Sequence, residues 1–591
     1  MKKIILALLS ATLLFPSVMR GNPDNTAPLY PGDIKIIRGS ELLIACAGTR
    51  EVLLTDLQGK LLRKWQFSEP VTGIATDDDR AFVTSSGSRG DISVIDINKP
   101  GIIRSAAVGM GARAPVLSSD KKTLYLAARF ETCIYKINVN NLSVSGKIKV
   151  LREPYAMAIS QDGRYLFVNN FLPAGPADTE LVTAEVSVIG LPDFTRIKDI
   201  KLSNGSNALK GICLSPEGDY LLIAHNLGRF QVPTSQLEQG WMNTAGLSVI
   251  DARKLEFMAT VILDEPERGA AGSWEVQCIQ EKILVTHSGT HDISIIDYRQ
   301  FIRKLLAEPN RESLAYNLHF LEGIRQRYPL KGNGPRSFAL LGDQAFIPAY
   351  FSDILNIFDI SSGKITEINL NPDRKESPEA IGERIFNDAT YCFQGWQSCN
   401  GCHPGEARTD GLNWDLLNDG IGNPKSCKSM LFAHVTPPVM ISGIRGSAEV
   451  AVRAGFKHIQ FSSIAEEDAK FVDAYLGSLV PLPSPWLVNG KLSKTARKGK
   501  QVFDREGCAE CHSGIYFTNL KSYKIGEEEK VYQAWNGWDT PTLREVWRTA
   551  PYLFNGSAYL MKDVFEVHGH GLKHVLSKDE TAQLAEYVNS L

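Results

Sequence analysis

One short strand pattern recurs along the first two thirds of the chain. It is an alternation of apolar residues that ends on Asp or a substitute. The copies begin with Val52-Leu-Leu-Thr-Asp56, Ile92-Ser-Val-Ile-Asp96, Ile134-Tyr-Lys-Ile-Asn138 and Val186-Ser-Val-Ile-Gly190. They continue with Leu247-Ser-Val-Ile-Asp251, Ile293-Ser-Ile-Ile-Asp297 and Leu355-Asn-Ile-Phe-Asp359, which makes seven. The first spacings are 40 and 42 residues, and later ones stretch to 62 as insertions enter. A second motif precedes some copies, a turn that feeds an alternating strand: Ser160-Gln-Asp-Gly163 before Tyr165–Val168, and Ser215-Pro-Glu-Gly218 before Tyr220–Ile223.

A period near 40 residues with several short strands per repeat is the signature of a β-propeller. A four-stranded blade cannot bury both faces alone, so the ring must close. Seven copies predict an all-β, seven-bladed propeller over residues 28–370. The repeats resemble the YVTN-type propellers of secreted bacterial proteins, a resemblance that implies fold and leaves function open. The insertion from Gln300 to Tyr328 has helical spacing and is expected to pack outside the ring. His225, His287, His291 and His319 are scattered among blades and read as structural or surface residues. Cys46, Cys133, Cys213 and Cys278 lie in or beside strands and read as small buried hydrophobes.

The chain starts Met1-Lys2-Lys3, then runs apolar from Ile4 to Phe15, too short to span a bilayer. That is the layout of a secretory signal peptide, assigned to residues 1–21. No later stretch is apolar enough to cross a membrane, so a periplasmic or secreted protein with no transmembrane segment is expected. A net charge of −2 shows no basic excess and argues against nucleic acid as partner. Ten cysteines in 591 residues are too few for a disulfide-stapled scaffold.

The last third is chemically different. It holds seven of the eleven histidines and six of the nine tryptophans. Cys399-Asn-Gly-Cys402-His403 and Cys508-Ala-Glu-Cys511-His512 both match C-x-x-C-H. Thiols one helical turn apart can add to the two vinyl groups of a haem, and the adjacent His then lies under the iron. Two covalently bound c-type haems are therefore expected, with His403 and His512 as proximal ligands. Zinc would need both C-x-x-C pairs to converge, and a thioredoxin-like pair would need a βαβ setting. The flanks repeat as well. Gly382-x-x-x-Phe386 and Gly499-x-x-x-Phe503 precede the two sites, with Ser377 and Ser493 as caps. Ser463-x-x-Glu466 and Ser577-x-x-Glu580 read as capping boxes of the helices that follow. Two mainly α, cytochrome-c-like domains are expected, at 371–485 and 486–591, joined at Pro481-Leu-Pro483-Ser-Pro485.

Thr540-Pro-Thr-Leu-Arg544, Thr549-Ala-Pro-Tyr552 and Asn555-Gly-Ser557, followed by a terminal helix, resemble the bacterial di-haem cytochrome c peroxidases. They are also similar to the relative that matures methylamine dehydrogenase. The resemblance implies an electron-entry haem at Cys508–His512 and a peroxide-reducing haem at Cys399–His403. It further implies hydrogen peroxide as substrate and a small cytochrome or cupredoxin-like protein as electron donor. The alternatives are a di-haem oxidase of a propeller-bound substrate and a non-enzymatic electron-transfer protein. The propeller's own ligand is unknown. Two departures stand out. The Phe-Trp-Asp-Gly-Arg stretch of the family is absent, with Thr436-Pro-Pro438 and Gly443-Ile-Arg445 as nearest counterpart. The expected distal Met aligns near Val567, beside His568 and His570.

Candidate distal ligands are therefore His568, His570 and Met561 for the second haem, and His434 for the first. Glu449 and Arg445 are candidates for acid–base work and polarisation of a peroxide bond. Arg453 and Arg544 are candidates for haem propionates. Trp414 is a candidate electron relay between the haems. Cys392 and Cys427 flank the first site and are expected to pair as a disulfide in an oxidising compartment.

Overall fold

A computed structural model describes residues 26–77, 79–231, 242–416, 424–525 and 537–591. The proposed signal peptide lies outside them. Seven four-stranded antiparallel sheets follow one another in chain order, at 31–66, 71–108, 112–149, 154–201, 206–262, 273–329 and 339–369. The first strands of neighbouring sheets touch at six of the seven blade junctions, so they line the axis of a seven-bladed propeller.

All seven copies of the sequence pattern are the third strands of their blades. The closing Asp has a local cause. Its carboxylate accepts backbone N–H groups of the turn into the fourth strand: Asp56 from Lys60 at 2.8 Å, Asp251 from Lys254 at 2.9 Å and Asp359 from Ser362 at 2.8 Å. This is the turn chemistry short acidic side chains favour. The serine of the second motif does the same one turn earlier, where Ser160 accepts the Tyr165 N–H at 2.9 Å.

The ring closes without a shared strand, because blade 1 and blade 7 are each continuous in sequence. Asp353, fully buried, joins them instead. It accepts the Leu29 N–H at 3.0 Å and holds Arg374 at 2.7 Å. Tyr30 stacks on Tyr350 with ring centroids 4.9 Å apart. The insertion is helical only in part. Helix α1 spans Tyr298–Ala307, capped by Asp297, and a single tight turn follows at Arg311–Tyr316. By Arg325 the chain is already the outer strand of blade 6, whose ladder with Asp292–Ile296 overrides the helical spacing.

A mainly helical region follows the propeller, built around two similar helix crossings. In the first, α2 (Pro378–Asn387) packs on α4 (Glu466–Ser478), with α3 (Ala448–His458) between them in sequence. In the second, α5 (Lys494–Arg505) packs on α7 (Lys578–Asn589), after the short α6 (Met561–Glu566). Ser377, Ser493 and Ser577 cap their helices as expected. Ser463 does not: α4 starts at Glu466 behind Ala465, which offers no side-chain cap, and leans on three acidic residues in its first turn.

Glycine makes both crossings possible. A Cβ on Gly382 would lie 1.9 Å from the Phe471 carbonyl oxygen, and one on Gly499 would lie 1.9 Å from that of Gln583. The same aromatic pair seals each crossing, Phe386 with Tyr475 at 5.4 Å and Phe503 with Tyr587 at 5.3 Å. Gly499→Ala should therefore force α5 and α7 apart and destabilise the protein by about 3 kcal/mol, the upper end for overpacking. Urea denaturation measures this, and a loss below about 1 kcal/mol would contradict the close approach.

Candidate functional site: two C-x-x-C-H loops

Each C-x-x-C-H motif folds as one helical turn. The His403 N–H donates to the Cys399 carbonyl at 3.0 Å, and the His512 N–H to that of Cys508 at 2.9 Å. Both thiols and the imidazole thus belong to one compact loop. The two histidines are oriented alike. His403 Nδ1 bonds the Arg408 carbonyl at 3.0 Å, and His512 Nδ1 bonds the Phe517 carbonyl at 3.1 Å. A carbonyl accepts only from N–H, so the proton sits on Nδ1 and the Nε2 lone pair is left for a metal. Burial lowers the pKa of both rings and keeps them neutral, the form that binds iron.

The thiols do not suit the rival chemistries. Burial pushes Cys399 up to about 12 and Cys508 up to about 11. A thioredoxin-like cysteine needs the opposite shift. Among the described residues, no three His, Cys, Asp or Glu side chains are grouped to hold a metal ion, as a zinc site requires. Paired thiols beside an oriented neutral imidazole fit a covalently attached haem.

Two residues with no local sequence signal reach the first loop. The Asn243 amide, from blade 5, donates to Cys402 Sγ at 3.2 Å, and the Gln460 amide donates to Cys399 Sγ at 3.1 Å. The first loop is thereby seated on the propeller. His291 contacts Asp388 at 3.1 Å, and the Asn413 amide reaches the Ala177 carbonyl at 3.0 Å, extending the same junction.

Matched backbone bridges align the two halves, Val439 with Arg445 and Tyr552 with Ala558. In this register Ala448, the start of α3, corresponds to Met561, the start of α6. Helix α6 is the shorter one, and Val567-His-Gly-His-Gly571 replaces the rest of it. His568 is exposed, whereas His570 is partly buried. Burial first, then the nearby His512 and His568, pushes His570 down to about 4, so its ring lies within electrostatic reach of His512. Met561 is buried in the apolar core with Val564, Phe565 and Leu584.

The remaining sequence candidates are placed as follows. His434 gives Nε2 to Asp473 of α4 at 3.1 Å, while its Nδ1 is buried without a partner. Arg453 is occupied by Asp473 at 2.5 Å and Glu466 at 2.7 Å. Glu449 is exposed in the first turn of α3, and Arg445 is half-buried in the preceding bridge. Arg544 donates to the Ile515 carbonyl at 2.8 Å. Trp414 is a core aromatic. It is buried beside Cys402 against the propeller's Val182 and Met242, with its indole N–H on Asp410 at 2.8 Å. Cys392 and Cys427 are not joined. Cys427 Sγ lies instead against the Cys402 carbonyl, 3.1 Å away, and the His403 ring, 3.5 Å away.

One ionic junction ties the three parts together. Arg548, 4% exposed, pairs with Glu545 at 3.4 Å, with Glu153 of the propeller at 3.9 Å and with Glu406 beside the first loop. Glu545 in turn holds Arg408 at 2.8 Å, and Glu153 holds Arg129 at 2.7 Å.

Fold and motifs together define a propeller followed by a helical region with two C-x-x-C-H loops, distantly similar to peroxidase cytochromes. No family model matches the chain. It is 24% identical over 272 residues to hydrazine synthase subunit gamma of Kuenenia stuttgartiensis, spanning 36% of this chain and 76% of that protein. It is 22% identical over 274 residues to cytochrome c551 peroxidase of Nitrosomonas europaea, spanning 38% of this chain and 81% of that one. A solved hydrazine synthase chain from Kuenenia stuttgartiensis shares the fold at TM-score 0.51 and 20% identity, over 59% of this chain and 98% of that chain.

Proposed function

We propose that this chain is an exported di-haem c-type cytochrome that reduces hydrogen peroxide to water with electrons from an external donor protein. Its haem domains are 371–485 and 486–591. The observation that carries the reading is the matched pair of C-x-x-C-H loops with equally oriented histidines. Cys399, Cys402 and His403 would hold one haem, and Cys508, Cys511 and His512 the other. Bound haem iron supplies one-electron redox chemistry, and each turnover needs two electrons and two protons to make two waters from one peroxide.

The chain's own residues would divide the work. His570 would help His512 hold the second haem, which would serve electron entry. His434, committed through Nε2 to Asp473, would leave room beside His403 for a small oxidant. Glu449 and Arg445, at the start of α3 and in the bridge before it, would move a proton and polarise an oxygen. Small cytochromes or cupredoxin-like proteins are the proposed donors. Rapid peroxide turnover by the purified, haem-loaded protein tests the reading. It fails if peroxide leaves the haem spectrum unchanged in every redox state. The likeness to a hydrazine synthase subunit supports a second reading, a di-haem oxidoreductase acting on another small substrate.

The distal assignment has its own test. His570→Ala should convert one of the two haems from low-spin to high-spin in the oxidised EPR spectrum, and His568→Ala should not. Equal effects of the two changes, or none from His570→Ala, would remove His570 from the iron.

A further inference from the structure

Where the propeller axis meets the helical region, the structure encloses a cavity of about 110 Å³. That is well below the ~300–1,000 Å³ of pockets for drug-sized ligands. Its propeller wall includes Lys210, Trp274, Arg336 and Tyr350, and its other wall includes Asn400 and Glu406. Asn400 belongs to the first C-x-x-C-H loop.

The wall is cationic, and Lys210 in particular lacks an acceptor, whereas the Arg336 guanidinium has the Tyr350 hydroxyl. Lys210 is 3% exposed, and its Nζ has no hydrogen-bond partner. It lies over the face of Trp274, 4.2 Å from Nζ to the ring centroid. The Arg336 guanidinium shares that indole at 4.1 Å and stacks on Tyr350 at 3.4 Å, with its Nε also unpartnered. Two carboxylates face the same space: Glu383 lies within the field of Arg336, and neither carboxylate is paired with Lys210. Glu383 accepts from the Tyr30 hydroxyl, and Glu406 is paired with Arg129 and Arg548. Among the described residues, neither Lys210 nor Arg336 forms an ion pair. A buried ammonium with no acceptor is costly, and a ring face replaces only part of its hydration. Burial, then Arg336, lowers Lys210 to about 7, the response of a cation that lacks its counter-charge.

We propose that this cavity binds one small oxyanion, inorganic or carboxylate, between Lys210 and Arg336. The aromatic rings hold the two cations in place, and the anion supplies the missing acceptors and charge. Bound there, it touches the loop that carries Cys399 and Cys402, which links propeller occupancy to the first haem loop. The inference stands on the cavity alone and does not depend on which reaction the helical region performs.

The test uses the full-length, haem-loaded protein, melted in sulfate, phosphate or acetate against chloride at constant ionic strength. At least one of the three should raise the melting temperature saturably. Lys210→Met keeps the length of the side chain and removes the charge. It should weaken that response at least tenfold, yet melt no lower than the parent without the anion, because an unpaired buried charge is gone. Lys210→Arg should keep most of the response. A parent protein that shows no saturable response overturns the proposal. So does an equal response in Lys210→Met, which would be a general salt effect on the shared surface.

Discussion

Replacing Cys508 and Cys511 with serine is expected to leave one covalent haem per chain in place of two, and to abolish electron delivery to the first site. The same change at Cys399 and Cys402 should also halve the covalent haem, but it should spare reduction of the remaining haem by a small donor. The asymmetry follows from the surroundings. The first loop is held to the propeller by Asn243; among the described residues no hydrogen bond joins the second loop to it. Hydroxyls cannot add to the vinyl groups, while His512 keeps its carbonyl-fixed orientation, so the loss is one of attachment and not of folding. Haem staining of a denaturing gel and a pyridine haemochrome count measure it. Two covalent haems in either double variant would refute the assignment of the loops.

Arg548→Met should destabilise the protein by about 3–5 kcal/mol, the range for removing one partner from a buried ionic group. Arg548 is the cation on which three carboxylates converge. Two of these, Glu545 and Glu153, are buried and would each lose a charge partner. Glu406 keeps Arg129 at 3.6 Å after the change, so it is not left without a cation. Methionine fills the aliphatic space but also gives up the stacking on Phe130, 4.6 Å from the guanidinium carbon. The consequence extends beyond magnitude. Glu153 belongs to the propeller, Glu406 to the first half and Glu545 to the second, so the variant should melt in separated steps where the parent melts in one. Calorimetry gives both results. A single transition shifted by under ~1 kcal/mol would show that the junction is held by its solvated rim.

Much of the molecule was legible because its signals are local. The third strand of each blade announces itself by alternation and by an Asp that caps the next turn within a few residues. The C-x-x-C-H loops are legible for the same reason, since the chemistry of attachment is written in five consecutive positions. What the sequence hid is long-range. Cys392 and Cys427 flank the same loop in sequence, yet Cys427 is drawn to the far side, against His403. Nothing local to Trp414 reveals the propeller residues Val182 and Met242 that bury it. The Arg152–Arg548 contact spans 396 residues, and no window of sequence contains both partners. The insertion after Tyr298 kept a helical spacing through Ile324, but strand pairing in blade 6 claimed the segment that follows.

The seam at Asp353 has a consequence for the order in which this protein can be made. Its bond to the Leu29 N–H joins residues 324 positions apart. Contacts of that separation form late, after most of the chain has been ordered by nearer ones. Blade 1 must therefore wait, one flank uncovered, until blade 7 has been synthesised. Almost at once the first cysteine loop follows. Closing of the ring and arrival of the first attachment site are thus neighbouring events in the life of a nascent chain. A ring that fails to close would leave the first C-x-x-C-H loop with no propeller to rest on.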